Sequence, residues 1–183
     1  YGKVLQRGFC GIYQEAARRL DALDINDPSN NWDKAPFYRA VMILCEGIRS
    51  FACRYAALAR QQAAACGDTV RREELERIAA ICEHVPWQPA RTFHEALQAQ
   101  WFTQLVSRLE QLHGGIISNG RMDQYLYPFY KKDREEGRLD DANAMLGASD
   151  SVITHLAKQD LLYQAIAESQ GIEPTQEQLD AAA

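Results

Sequence analysis

The sequence predicts a mainly α-helical chain, and three observations lead there. Apolar residues recur at three- and four-residue steps over most of the length. Short clusters of Pro, Gly, Asp and Asn separate those stretches. Alternating, strand-like patterns are weak throughout. With 183 residues, the chain is long enough for one ordinary domain with its own core.

The first stretch, residues 3–24, places Val4, Leu5, Phe9, Ile12, Tyr13, Ala16, Leu20 and Leu23 on one helical face. Residues 24–31, rich in Asp and Asn around Pro28, read as a loop. A long helix is predicted from about Pro36 to Ala65, because Pro is tolerated in a first helical turn. Its stretch from Phe37 to Ala59 is apolar over more than half the circumference, which implies burial in something larger than a small bundle. Gly67 and Asp68 end it, and Thr69 is the expected cap of a helix over 70–84. Pro86 and Pro89 flank Trp87 and predict an extended link.

Thr92-Phe93-His94-Glu95 has the form of a capping box, in which hydroxyl and carboxylate satisfy opposing backbone N–H groups. The helix it opens runs to about Leu112, where Gly114 and Gly115 break it. Residues 116–130 mix aromatic and β-branched residues with Gly and Pro, and read as an irregular packed segment. A turn follows at 135–138. The texture changes after Met145, where residues 150–170 form another amphipathic pattern. We therefore divide the chain at 1–145 and 146–183, the second part a helical tail of different character.

Bulk properties narrow the function. The formal charge of −5 leaves no basic stripe to neutralise phosphates, which argues against nucleic acid. No apolar run reaches the roughly 18–20 residues of a membrane span. The five cysteines, Cys10, Cys45, Cys53, Cys66 and Cys82, form no C-x-x-C pair, and the four His are scattered. No metal site is expected. An odd cysteine count without a framework fits a reducing, cytoplasmic compartment. Cys45 and Cys53 read as buried thiols on one helical face.

One segment concentrates chemistry: residues 118–130 hold Asn119, Arg121, Asp123 and Gln124 among Tyr125, Tyr127 and Tyr130. An Arg121–Asp123 pair with the hydroxyls of Tyr125 and Tyr127 can satisfy the polar groups of an irregular backbone. The expected role of these four is therefore to order structure, and no catalytic residue is assigned.

Two strings carry a family resemblance. Pro89-Ala90-Arg91-Thr92-Phe93-His94-Glu95-Ala96-Leu97-Gln98 is followed by Gly120-Arg121-Met122-Asp123-Gln124-Tyr125-Leu126-Tyr127-Pro128-Phe129-Tyr130. They resemble the patterns P-x-R-T-F-x-E-A-L-Q and G-R-x-D-Q-Y-x-Y-P-Y-Y of the pyruvate formate-lyase-like glycyl radical enzymes. The likeness extends over roughly residues 1–145, through Tyr1 to Leu5 and residues 34–59.

The resemblance implies that the chain is an incomplete, helical portion of a ten-stranded α/β barrel. It implies a fragment of a glycyl radical lyase that breaks a C–S, C–C or C–O bond of a small molecule. No organic cofactor is implied. The parent enzyme carries a radical on a glycine outside this chain, placed there by a radical S-adenosylmethionine activating enzyme, and is a homodimer. The compartment is cytoplasmic, a bacterial microcompartment included. Neither the Gly-Cys-x-Glu-like loop nor the Arg-Val-x-Gly-Tyr-like loop of the family occurs in these residues. Numbering that opens at Tyr1 also suggests a piece of a longer chain.

In the diol-dehydrating branches the stretch before G-R-x-D-Q-Y resembles N-G-H-S-x-S-x, with His and Ser on substrate hydroxyls. Those positions fall here on Gly115 and Ile116, which offer no side-chain hydrogen bond. The resemblance therefore points away from diols, to the sulfonate-lyase branch, such as isethionate sulfite-lyase, or to the arylacetate and arylalkyl branches. Gly115 and Ile116 are the first candidates for the substrate cavity, followed by Trp101 and Phe102. The competing reading is a non-enzymatic helical interaction module or a decayed paralogue.

Overall fold

Gly8 interrupts the first helix with a backbone conformation that only glycine adopts readily (φ 66°, ψ 171°). In the computed structural model, which describes residues 1–24, 26–109 and 118–139, helix α1 (Gly2–Asp21) bends there. The bend frees the N–H groups of Phe9 and Cys10 to donate to the carbonyls of Pro86 and Trp87, both at 2.9 Å. Ala90 N–H donates in return to the Leu5 carbonyl at 3.0 Å. The uninterrupted helix expected over 3–24 is thus two segments joined on a clamp for the Pro86–Pro89 link. That link is a turn rather than the extended link expected, and its Val85–Pro86 peptide is cis. On the outer side, Glu15 gathers Lys3, Arg7 and Arg19 at 3.1, 2.8 and 2.9 Å, joining the two segments across the bend.

The loop after α1 is held by Asp24 and Asp27, whose carboxylates accept the N–H groups of Asn26 and Ser29. A π-helical turn, Asn30–Lys34, then leads into α2 (Ala35–Ala65), with Pro36 in its first turn as expected. A short corner at 66–68 returns the chain along α3 (Thr69–His84), which packs on α2. Asp68, not Thr69, caps α3: its carboxylate accepts from Val70 N–H at 2.9 Å. A carboxylate is the stronger acceptor there, and it also meets the positive helix end.

Helix α4 (Phe93–Leu109) is the most enclosed element: Glu95, Ala96, Leu97, Ala99, Gln100, Phe102, Gln104 and Leu105 are all buried. It contacts α1, α2, α3 and α5 (Met122–Glu135), the last helix among the described residues. Two apolar clusters meet on it. Leu5, Val85, Ala96, Leu97, Ala99 and Leu126 form one, and Phe102 with Ala52, Ala56 and Cys82 forms another.

The segment expected to be irregular over 116–130 is helical from Met122. Met122, Tyr125, Leu126 and Phe129 pack together against the first cluster, and their three- and four-residue steps outweigh Pro128, which sits inside the helix. The helix ends in the turn expected at 135–138. Gly137 N–H donates to Arg134 O and Arg138 N–H to Asp133 O, the paired bonds of a Schellman motif.

Cys45 is buried beside Val4, Phe9 and Ile48, and burial raises its thiol pKa. Cys53 is exposed. Eight residues turn a helix about 80° past two full turns, so the two thiols do not share a face.

Among the described residues no helix is long and apolar enough to cross a membrane. All described residues lie in one compact unit, residues 1–140. The boundary expected at 145 and the helix expected at 150–170 lie outside the described residues.

Candidate functional site

The polar chemistry of the described chain collects at the two ends of α4. At its N-terminus, Thr92 Oγ1 accepts Glu95 N–H at 3.2 Å, the first half of the expected capping box. The second half is shifted by one residue: Glu95 Oε2 accepts Arg91 N–H at 2.7 Å instead of Thr92 N–H. Phe93 N–H donates to Asp133 Oδ2 at 2.8 Å, and Arg138 donates to Asp133 Oδ1 at 2.7 Å. Asp133, only 4% exposed, therefore binds the start of α4 to the end of α5. It stands in the charged run after Tyr130, where a solvated surface residue would be the ordinary expectation.

Glu95 is 4% exposed and receives the Arg91 guanidinium at 2.5 and 3.1 Å. Burial pushes its carboxyl pKa up, but the side-chain and backbone hydrogen bonds from Arg91 outweigh that and hold it below its ordinary 4.5. A depressed folded-state pKa stabilises the protein above the unfolded value, and that stability is lost as pH falls through the folded value. Glu95→Gln is therefore expected to lower the urea midpoint at pH 7 and to shrink the drop between pH 7 and about pH 3.5. An unchanged acid drop would rule out this carboxylate as its source.

Toward the other end, Gln100 and Gln104 lie four residues apart on a face that is otherwise apolar, and both are buried. Gln100 Nε2 donates to Asn119 Oδ1 at 2.7 Å. The Asn119 carbonyl accepts the Tyr125 hydroxyl at 2.9 Å. Tyr125 stacks on Tyr1, with ring centroids 5.6 Å apart, and the Tyr1 hydroxyl donates to Gln104. Burial, and to a lesser degree Tyr1, pushes the Tyr125 phenol up to about 12. This hydroxyl stays protonated at neutral pH and acts as a donor. The seam binds the chain just before α5 to α4. Sequence reading missed both glutamines, although their i, i+4 spacing on a buried helix was the available signal.

The residues singled out from sequence fall in several places. Arg121 and Asp123 pair at 3.0 and 3.1 Å, with side chains 71% and 65% exposed. The Arg121 hydrogen bond holds the Asp123 carboxyl below its usual range, and Asp123 sits in the first turn of α5. Tyr125 orders the irregular backbone at Asn119, whereas Tyr127 is 56% exposed. Phe102 is completely buried, edge-on to Phe51, Tyr55 and Trp101. Trp101 is half-buried on that same aromatic group. Their surroundings are those of helix packing. Gly115 and Ile116 lie outside the described residues. Among the described residues no group of three or more His, Cys, Asp or Glu could hold a metal ion.

Comparison with known proteins assigns this arrangement. A family model described as pyruvate formate lyase-like matches residues 1–166. The chain is 53% identical over 145 residues to isethionate sulfite-lyase from Oleidesulfovibrio alaskensis, covering 79% of this chain and 18% of that protein. It is 33% identical over 139 residues to (2S)-3-sulfopropanediol dehydratase from Klebsiella oxytoca, covering 76% of this chain and 17% of that enzyme. A crystal structure of a glycyl radical enzyme from Archaeoglobus fulgidus superposes with a TM-score of 0.74 at 39% identity, covering 80% of this chain and 19% of that one. The chain thus spans under a fifth of the length of the relatives it matches, and its helices correspond to one part of their fold. The chain belongs to the pyruvate formate lyase-like family of glycyl radical enzymes.

Proposed function

We propose that this chain is a helical shell piece of a glycyl radical lyase whose substrate is a small sulfonate and whose cleaved bond is C–S. The observation that carries the reading is the difference in identity: 53% to an isethionate sulfite-lyase against 33% to a sulfopropanediol dehydratase over nearly the same span. Gly115 and Ile116 support it, because a cavity wall without hydrogen-bonding side chains suits a diol poorly. In this reading Gly115 and Ile116 line the cavity, and Trp101 and Phe102 brace the helix behind it. Arg121, Asp123, Tyr125 and Tyr127 set the geometry of the α5 entry. Residues 1–145 are the family's helical region, followed by a tail whose first part falls inside the family match.

The chemistry belongs to the whole enzyme. The radical resides on a glycine whose motif does not occur in these residues, and a radical S-adenosylmethionine enzyme installs it. The parent is a homodimer in the cytoplasm or a bacterial microcompartment. The test is anaerobic activation of the full-length parent, with sulfite measured from isethionate and the glycyl radical read by electron paramagnetic resonance. Sulfite release with an oxygen-sensitive radical signal is expected. Dehydration of glycerol or 1,2-propanediol without sulfite would overturn the substrate reading.

A further inference from the structure

Helix α2 carries a second apolar face beside the one that packs on α1, α3 and α4. Its inner residues, Ile48, Ala52, Ala56, Ala59 and Ala63, are buried. Next to them run Phe37, Leu44 and Leu58, in a seven-residue register completed by half-buried Phe51. Phe37, Leu44 and Leu58 are 62%, 54% and 48% exposed. Ala40 and Gly47 lie between the large residues, both exposed, and a Cβ added at Gly47 would meet nothing within 4 Å. Ile43, 73% exposed, lies about 100° around the helix from Leu44 and lines a separate depression of about 380 Å³ with Tyr13, Arg39, Met42 and Glu46.

Large apolar residues every seven positions, with small ones between, make the ridge-and-hole surface on which a second helix lies lengthwise. The ridge from Phe37 to Leu58 is about 32 Å long at the helical rise per residue. A glycine inside a long helix weakens it relative to alanine, and a close backbone approach is the usual packing reason to keep one. Ala40, Leu44 and Gly47 carry no charge, and Arg54, exposed, takes the next position of the small-residue register. The uncharged part of the face suits a permanent contact within one fold better than a transient one. The occupant has a source: the chain spans only 18% of a relative such as isethionate sulfite-lyase.

We infer that the Phe37–Leu58 ridge of α2 seats an apolar-faced helix from the rest of the same polypeptide, with its closest approach at Gly47. This rests on the reading of the chain as part of a larger enzyme, and not on which bond that enzyme cleaves. The test uses the full-length parent before activation. Ala40→Cys is labelled with a thiol reagent in the folded enzyme and in urea. Labelling about a hundredfold slower in the folded state is expected, and rates within about threefold would overturn the inference. Protection that disappears on dilution to monomers would assign the ridge to a second copy and overturn it as well. As an independent measurement, Gly47→Ala and Gly47→Leu should lower Tm, Leu more than Ala. On an open helix face alanine would raise Tm, and that result would also sink the inference. A parent that protects Ala40→Cys but releases no sulfite would count against the C–S reading alone.

Discussion

Gly8→Ala is expected to destabilise the protein by about 3 kcal/mol, through backbone strain and a clash that cannot relax cheaply. A Cβ at this position would stand 2.2 Å from the Trp87 carbonyl oxygen and 2.7 Å from the carbonyl carbon of Gln88. Both are backbone atoms, so no side-chain rotation relieves the overlap. The positive φ adds strain even if the link moves away. Retreat of the link would also cost the bonds from Phe9, Cys10 and Ala90 that join α1 to it. The measurement is a urea titration followed by far-ultraviolet circular dichroism. A midpoint equal to that of the unsubstituted protein would show that the link does not press on α1 in solution.

Phe102→Ala should cost about 3–5 kcal/mol, the range for deleting a fully buried aromatic side chain. The ring is enclosed by Ala52, Ala56 and Cys82, small residues that cannot expand into the space it leaves. Its edge-on contacts with Phe51, Tyr55 and Trp101 would be lost together. The size of the loss separates two roles. A residue of the cavity wall would impair substrate binding in the full-length enzyme with little change in melting temperature. A packing residue lowers the melting temperature first, and that is the expected result. A Phe102→Ala parent with unchanged stability and a raised KM would place Phe102 in the cavity wall.

Much of the architecture was readable from side-chain spacing. Pro36 and Gly67 bracketed α2, and Thr92 marked the start of α4. Three of the misses share a cause, which is that a contact distant in sequence decided the local outcome. Gly8 stands among apolar residues at helical steps, and only the Pro86–Pro89 link explains its conformation. Over 122–129, Gly120 and Pro128 drew attention from the Met122, Tyr125, Leu126 and Phe129 stripe. That stripe has meaning only against Leu97 and its neighbours. Asp133 carries no signal in the sequence because the N–H of Phe93, its partner, lies in another helix. The family was legible because two long strings preserve both residue identity and order. The site was less so, because the seam of Gln100, Gln104, Asn119, Tyr125 and Tyr1 joins residues distant in sequence.

The seat of Trp87 has an optical consequence. The Arg49 guanidinium lies 4.7 Å from the ring centroid and Tyr13 meets the indole edge-on, while Trp32 is 82% exposed and Trp101 sits among aromatic rings. The three indoles thus occupy three dissimilar dielectric settings, and their emission bands should separate by wavelength. Trp87 then serves as a built-in gauge of whether α1 still grips the turn before α4.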